Sequence, residues 1–189
     1  MFLKRQDPYL LVVSMTGVKL GDELLQVGCA DAGRLGAVAA KVGLSGRAVL
    51  VAPDETSAAR GRKGAAAAGV LVDVDVAPPT RLPAKNDEFD LAVVDDTAGL
   101  LGTMRAEDRV ASIRELVRVL RPGGRVMIIG AGTRGGFGAL LTRAQSGPPF
   151  VASGDAVKAL EADGFRSVRT LAEREGLVFV EGIKPREVR

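Results

Sequence analysis

Arg114-Glu115-Leu116-Val117-Arg118-Val119-Leu120-Arg121-Pro122-Gly123-Gly124-Arg125-Val126 changes rhythm midway, and the change is informative about the fold. Upstream and through it, Val110, Ile113, Leu116, Val117 and Leu120 recur at helical spacing and form the apolar stripe of an amphipathic helix. Arg121-Pro122-Gly123-Gly124 ends that helix, because proline cannot continue it and glycine supplies the turn. Arg125 to Ile129 then reads as a strand. A helix returning through a tight turn into a strand is half of a crossover unit, and similar pieces lie on both sides.

Toward the N-terminus, Phe89 to Val94 is a largely apolar strand, preceded by a loop that Pro78, Pro79 and Pro83 enforce. Leu24 to Val27 and Ala48 to Val51 are short apolar strands. Helical stretches follow them, from about Arg34 to Val42 and, alanine-rich and stopped by Gly69, from Asp54 to Ala68. Leu71 to Val76 alternates apolar residues with Asp73 and Asp75, as expected of a strand open to water on one side. Toward the C-terminus, Ser153 caps a helix carrying Val157 and Leu160 and closed by Gly164. Arg166 to Leu171 and Leu177 to Ile183 lie too close in sequence for a helical crossover, so they pair antiparallel. The alternation predicts an α/β protein: a seven-stranded, mostly parallel sheet with helices on both faces and a C-terminal antiparallel hairpin. No internal repeat or interdomain linker divides it. Residues 1–189 read as one domain, with a helical N-terminal extension over 1–17 and a core over 18–185.

Composition narrows the chemistry. The 189 residues carry 26 basic and 23 acidic side chains, a net charge of +3, and the basic residues are scattered rather than gathered on one face. No nucleic-acid partner is expected. Histidine is absent and cysteine occurs once, at Cys29. Histidine-dependent triads, histidine metal sites, thiolate cages and intrachain disulfides are therefore excluded, and no metal site is expected. The apolar run from Tyr9 to Met15 is too short to span a bilayer. Lys4 and Arg5 precede it, but no small-residue cleavage site follows. The expectation is a cytoplasmic protein without membrane contact.

Leu24-Leu25-Gln26-Val27-Gly28-Cys29-Ala30-Asp31-Ala32-Gly33 runs from a strand through a small-residue loop into a helix. Such a loop lets backbone amides approach a ligand, and the helix start favours negative charge. With Asp87-Glu88-Phe89-Asp90-Leu91-Ala92-Val93-Val94, the Arg114-to-Val126 unit, and Leu160-Glu161-Ala162-Asp163-Gly164-Phe165 before the hairpin, the chain resembles the class I S-adenosylmethionine-dependent methyltransferases over roughly Val18 to Pro185. The resemblance implies their Rossmann-like sheet, S-adenosylmethionine as cofactor, and methyl transfer to a small-molecule acceptor. It implies cofactor contacts at Gly28, Cys29, Ala30, Asp31 and Gly33, at Ala52, Pro53 and Asp54 after the second strand, at Thr80, Arg81 and Leu82 after the third, and at Asp95. Asp95 and Asp96, closing the fourth strand, are the catalytic candidates, placed to orient the acceptor or take its proton. Gln26, Ala30, Ala52 and Pro78 depart from the family's usual residues. They support the alternative of a catalytically inactive domain that binds a protein partner.

A second cluster, Gly130-Ala131-Gly132-Thr133-Arg134-Gly135-Gly136-Phe137-Gly138, matches a formal Gly-x-Gly-x-x-Gly. The dinucleotide fingerprint also needs an immediate helix and an acid about 20 residues on. Asp155 stands 25 residues past Gly130 and beyond Pro148-Pro149. The favoured reading is a loop over the mouth of the site, reaching to Pro149, in which Arg134 and Arg143 could meet an anionic acceptor.

Overall fold

A computed structural model describes residues 7–132 and 149–186. Its elements run α1 (Leu10–Thr16), β1 (Glu23–Val27), α2 (Ala32–Val42), β2 (Arg47–Ala52), α3 (Glu55–Ala68), β3 (Asp73–Val76), β4 (Phe89–Asp96), α4 (Ala106–Val119), β5 (Leu120–Ala131), α5 (Asp155–Ala162), β6 (Arg166–Arg174) and β7 (Leu177–Ile183). The strands form one seven-stranded sheet in the order β3-β2-β1-β4-β5-β7-β6. The first five in that order are parallel, and β7 is antiparallel to both neighbours. This is the expected Rossmann-like sheet with its terminal hairpin.

The central strands read as continuous apolar runs because both of their faces are buried. Successive residues point to opposite faces. Leu25, Val27, Ala92, Val94, Val126 and Ile128 pack with Ile113 and Leu116 of α4 and with Ala156 and Leu160 of α5. Leu24, Leu91, Val93, Met127 and Ile129 pack with Val12 of α1 and Val38, Ala39 and Val42 of α2. Helices thus cover both faces. None of those described is long and apolar enough to cross a membrane.

Three boundaries shift from expectation. The Pro-Gly-Gly segment does not separate α4 from β5; it lies inside a long β5 as a register break between the Phe89–Leu120 and Leu91–Arg125 pairs. Leu120 is fully buried, and Gly123 bonds across to Lys184, so packing and pairing draw the turn into the strand. β3 starts at Asp73, leaving Leu71 91% exposed. β6 runs on to Arg174 because β7 pairs with it to the end. Of the second glycine cluster, Gly130 lies near the end of β5 against Val151 and Ala131 closes the strand, whereas 133–148, with Arg134 and Arg143, lie outside the described residues.

Candidate functional site

The carboxyl ends of β2, β1 and β4 lie side by side. β1 leaves the sheet through Gly28, whose φ of +78° is left-handed and suits glycine. A Cβ there would also stand 2.7 Å from Leu100 Cδ2. The next three amides are each held by a different element. Gly28 N–H donates to the Val51 carbonyl of β2 at 2.9 Å. Cys29 N–H donates to Ser57 Oγ of α3 at 3.2 Å, and Ala30 N–H to Asp95 Oδ2 of β4 at 2.9 Å. Buried Gln26 braces the loop from below, its Nε2 donating to the Gly28 carbonyl at 3.1 Å. Asp31 caps α2 by accepting from Arg34 N–H at 2.9 Å.

The two carboxylates that close β4, Asp95 and Asp96, are both buried and both engaged. Asp95 Oδ1 accepts from Thr97 Oγ1 at 2.6 Å and from Arg34 Nη1 at 3.1 Å. Asp96 Oδ1 accepts from the N–H groups of Leu101 and Gly102 at 2.6 and 3.2 Å. Burial raises the Asp96 pKa, against the opposing pull of those two amides. Arg109 of α4 completes the hold on this segment. It donates to the carbonyls of Leu101, Gly102 and Met104 at 3.0, 3.3 and 2.9 Å, and its guanidinium lies 4.6 Å from the centre of the Phe150 ring. On the α3 side, Asp54 caps the helix through Ser57 N–H at 2.7 Å. Arg60 Nη1 donates to the Cys29 carbonyl at 2.7 Å.

Between these groups lies an open cleft of about 350 Å³. Gly28, Cys29, Ala30, Pro53, Asp54 and Asp95, all singled out from the sequence, line it. Thr56, Ser57, Arg60, Leu100 and Thr103 line it too, and sequence reading passed them over. Ser57 and Arg60 had a legible signal: they stand three apart on α3, hence on one face, directly after a capping aspartate. Leu100 had none.

The remaining candidates fall elsewhere. Asp31 and Gly33 sit just beyond the cleft, at the cap and in the first turn of α2. Asp96 turns toward segment 101–102. Ala52 is fully buried among Cys29, Leu35, Leu50 and Ala58. Thr80, Arg81 and Leu82 are not brought into the cleft. Leu82 is buried in the core with α4, its N–H donating to Glu115 Oε2 at 2.7 Å. Arg118 draws this connection toward α4 by donating to the carbonyls of Leu82 and Ala84 at 3.1 and 2.8 Å. Cys29 keeps its proton: burial pushes its thiol up to about 11, which makes it a filler of the loop and a poor nucleophile.

A family model described as a methyltransferase domain matches residues 24–124, just over half of the chain, and the chain belongs to that family. The match spans β1 to the Pro-Gly-Gly segment and so contains the whole cleft. Rv1405c of Mycobacterium tuberculosis, itself uncharacterized, is 32% identical over 145 residues, 76% of this chain and 49% of its own length. The ubiquinone/menaquinone biosynthesis C-methyltransferase UbiE of Pseudomonas putida is 29% identical over 123 residues, 62% of this chain and 44% of the enzyme. The chain thus spans about half the length of the curated relatives it matches. A SAM-dependent methyltransferase from Aquifex aeolicus shares the fold, with a TM-score of 0.72 at 21% identity and 95% of each chain covered.

Proposed function

We propose that this chain binds S-adenosylmethionine in the cleft at the carboxyl ends of β1, β2 and β4 and transfers its methyl group to a small-molecule acceptor. The observation that carries this reading is the cleft built on the β1 loop, inside the span that matches the methyltransferase domain. Its volume falls in the range of small-molecule sites, roughly 300–1,000 Å³. Asp54, Thr56, Ser57, Arg60 and Thr103 offer polar contacts along an otherwise small-residue wall. Relatives whose names state an activity, UbiE of Pseudomonas putida among them, are methyltransferases, which speaks for an enzyme over an inactive module.

When bound, the cofactor supplies a methyl carbon activated by its sulfonium, so the protein has to align an acceptor and exclude water. The chain's own residues prepare that alignment. Ser57, Arg60, Asp95 and Gln26 hold the amides and carbonyls of the loop before any ligand arrives, which lowers the ordering cost of binding. Asp54, exposed beside the end of β2, is the carboxylate placed to take ribose hydroxyls in the stead of buried Ala52. Asp95 and Asp96 orient the acceptor side through the Thr97–Met104 segment they anchor.

Calorimetric titration with S-adenosylmethionine and its demethylated product tests this. Saturable binding is expected, and loss of it in Ala98→Trp, where an exposed residue on the rim of the cleft becomes a bulky plug. Binding that survives the plug, or no binding to the parent protein, overturns the reading. Release of S-adenosylhomocysteine over a panel of oxygen, nitrogen and carbon acceptors then identifies the acceptor class.

A further inference from the structure

Tyr9 is the only tyrosine of a chain without tryptophan, and it stands where the first element meets the loop. Half-buried at the start of α1, it lies across α2 at Gly33. A Cβ added to Gly33 would collide with the Tyr9 hydroxyl and stand 2.5 and 2.7 Å from its Cζ and Cε2 atoms. Glycine is therefore needed at position 33 for the ring to be seated. The hydroxyl faces the Asp31 carboxylate. Burial first, then the charge and hydrogen bonding of Asp31, push the phenol pKa upward.

From Asp31 a polar chain runs beneath the loop. Asp31 accepts from Arg34 N–H at 2.9 Å, Arg34 Nη1 donates to Asp95 at 3.1 Å, and Asp95 accepts from Ala30 N–H at 2.9 Å. The other end of α1 is fixed independently. Arg125 of β5 donates to the carbonyls of Thr16 and Gly17 at 3.0 and 2.9 Å and pairs with Glu181 of β7 at 3.1 Å. α1 is thus anchored to the sheet at its C-terminus and rests on the first turn of α2, where the loop enters it, at its N-terminus.

We propose that Tyr9 is a positioning residue of the loop. Seated on Gly33 and facing Asp31, it holds residues 28–33 in the shape that receives the cofactor, and so couples the seating of α1 to the filling of the cleft. The loop-holding role stands on this geometry alone; the coupling to cofactor rests on the function proposed above. Two variants separate ring from hydroxyl. Tyr9→Phe keeps the ring and removes the hydroxyl, whereas Gly33→Ala evicts the ring.

In the ligand-free protein, amide exchange from Ala30 to Arg34 is expected to speed up by about tenfold in Gly33→Ala, where the ring loses its seat, and by less in Tyr9→Phe, where the ring stays. Exchange in β4 and β5 should stay unchanged. S-adenosylhomocysteine affinity should weaken by about the same factor. In the parent protein, tyrosine emission, which comes from Tyr9 alone, should change on titration and saturate at the calorimetric Kd. Unchanged exchange at residues 30–34, or an acceleration spread evenly over the core strands, overturns the positioning role whatever the binding result. An affinity that stays put while exchange rises overturns the coupling. If S-adenosylhomocysteine fails to bind the parent protein, the proposed function falls, and with it the coupling, while the exchange measurement still decides whether Tyr9 holds the loop.

Discussion

Asp95 and Asp96 are neighbours at the end of β4, but consecutive strand residues face opposite sides of a sheet, and their partners differ accordingly. Asp95 joins the β1 loop to α2 through Ala30 and Arg34. Asp96 turns the other way and gathers the amides of Leu101 and Gly102. Burial lifts the Asp96 carboxyl above its ordinary value of 3.8. A group with a raised folded pKa binds its proton more tightly when native. Its stabilising contribution is complete below the ordinary value and is lost as pH rises through the folded one. Asp96→Asn keeps an acceptor oxygen for both amides and removes the buried charge. Urea midpoints measured between about pH 3 and about pH 8 should show the parent losing stability above about pH 4 relative to the variant. At neutral pH the variant should be at least as stable. A variant that is weaker by about 1 kcal/mol or more there would mean that the two amides favour the ionised form strongly enough to outweigh burial.

The stretch between β4 and α4 illustrates what an element needs beyond its own sequence. Thr97–Met104 contains two glycines and no regular helix, yet it presents Leu100 over Gly28 and Thr103 to the cleft. Its shape is imposed from both flanks, by Asp96 and by the three carbonyl contacts of Arg109. Lysine has one compact ammonium and cannot span three carbonyls while stacking on Phe150. Arg109→Lys should therefore cost about 1–3 kcal/mol in global stability. Its amide exchange should rise from Leu101 to Met104 well before that of β4. Protection that persists in this segment would show that Asp96 alone suffices. Regular elements were legible because their apolar spacing is local: β1, β2, β4 and α4 stand close to where periodicity put them. The boundaries that moved did so for nonlocal reasons, the burial of Leu120 and the pairing of Gly123 with Lys184 in one case, the reach of β7 in another. Likewise Thr80, Arg81 and Leu82 were expected at the cleft, but Arg118 and Glu115 hold that connection against α4, and no local pattern announces such a clamp.

Across the whole molecule, Arg125 ties the first helix to the last strand. It donates to the end of α1 and meets Glu181, which is 5% exposed and also pairs with Arg169 at 3.1 Å. Removing Arg125 leaves a nearly buried carboxylate with one exposed partner and two helix-end carbonyls without their donor. Arg125→Met should lower unfolding free energy by about 1–3 kcal/mol, a value reduced because Arg125 is itself partly exposed. Urea unfolding reads the change directly. A neutral result would mean that Arg169 and water replace it fully.

The sequence by itself determined the strand and helix rhythm, the parallel sheet with its hairpin, and the loop from Gly28 to Asp31 at the mouth of β1. These follow from spacing, from proline and glycine, and from the burial of both faces of central strands. Beyond Gly28, Cys29, Ala30, Pro53, Asp54 and Asp95, tertiary structure decided which groups face the cleft. Ser57 and Arg60 reach it from α3 and Leu100 from the segment after β4, Ala52 is turned into the core although it closes β2, and Tyr9 arrives from α1 to rest on Gly33. Side-chain direction at a loop depends on hydrogen bonds between residues far apart in sequence, and those partners are settled when the helices dock on the sheet.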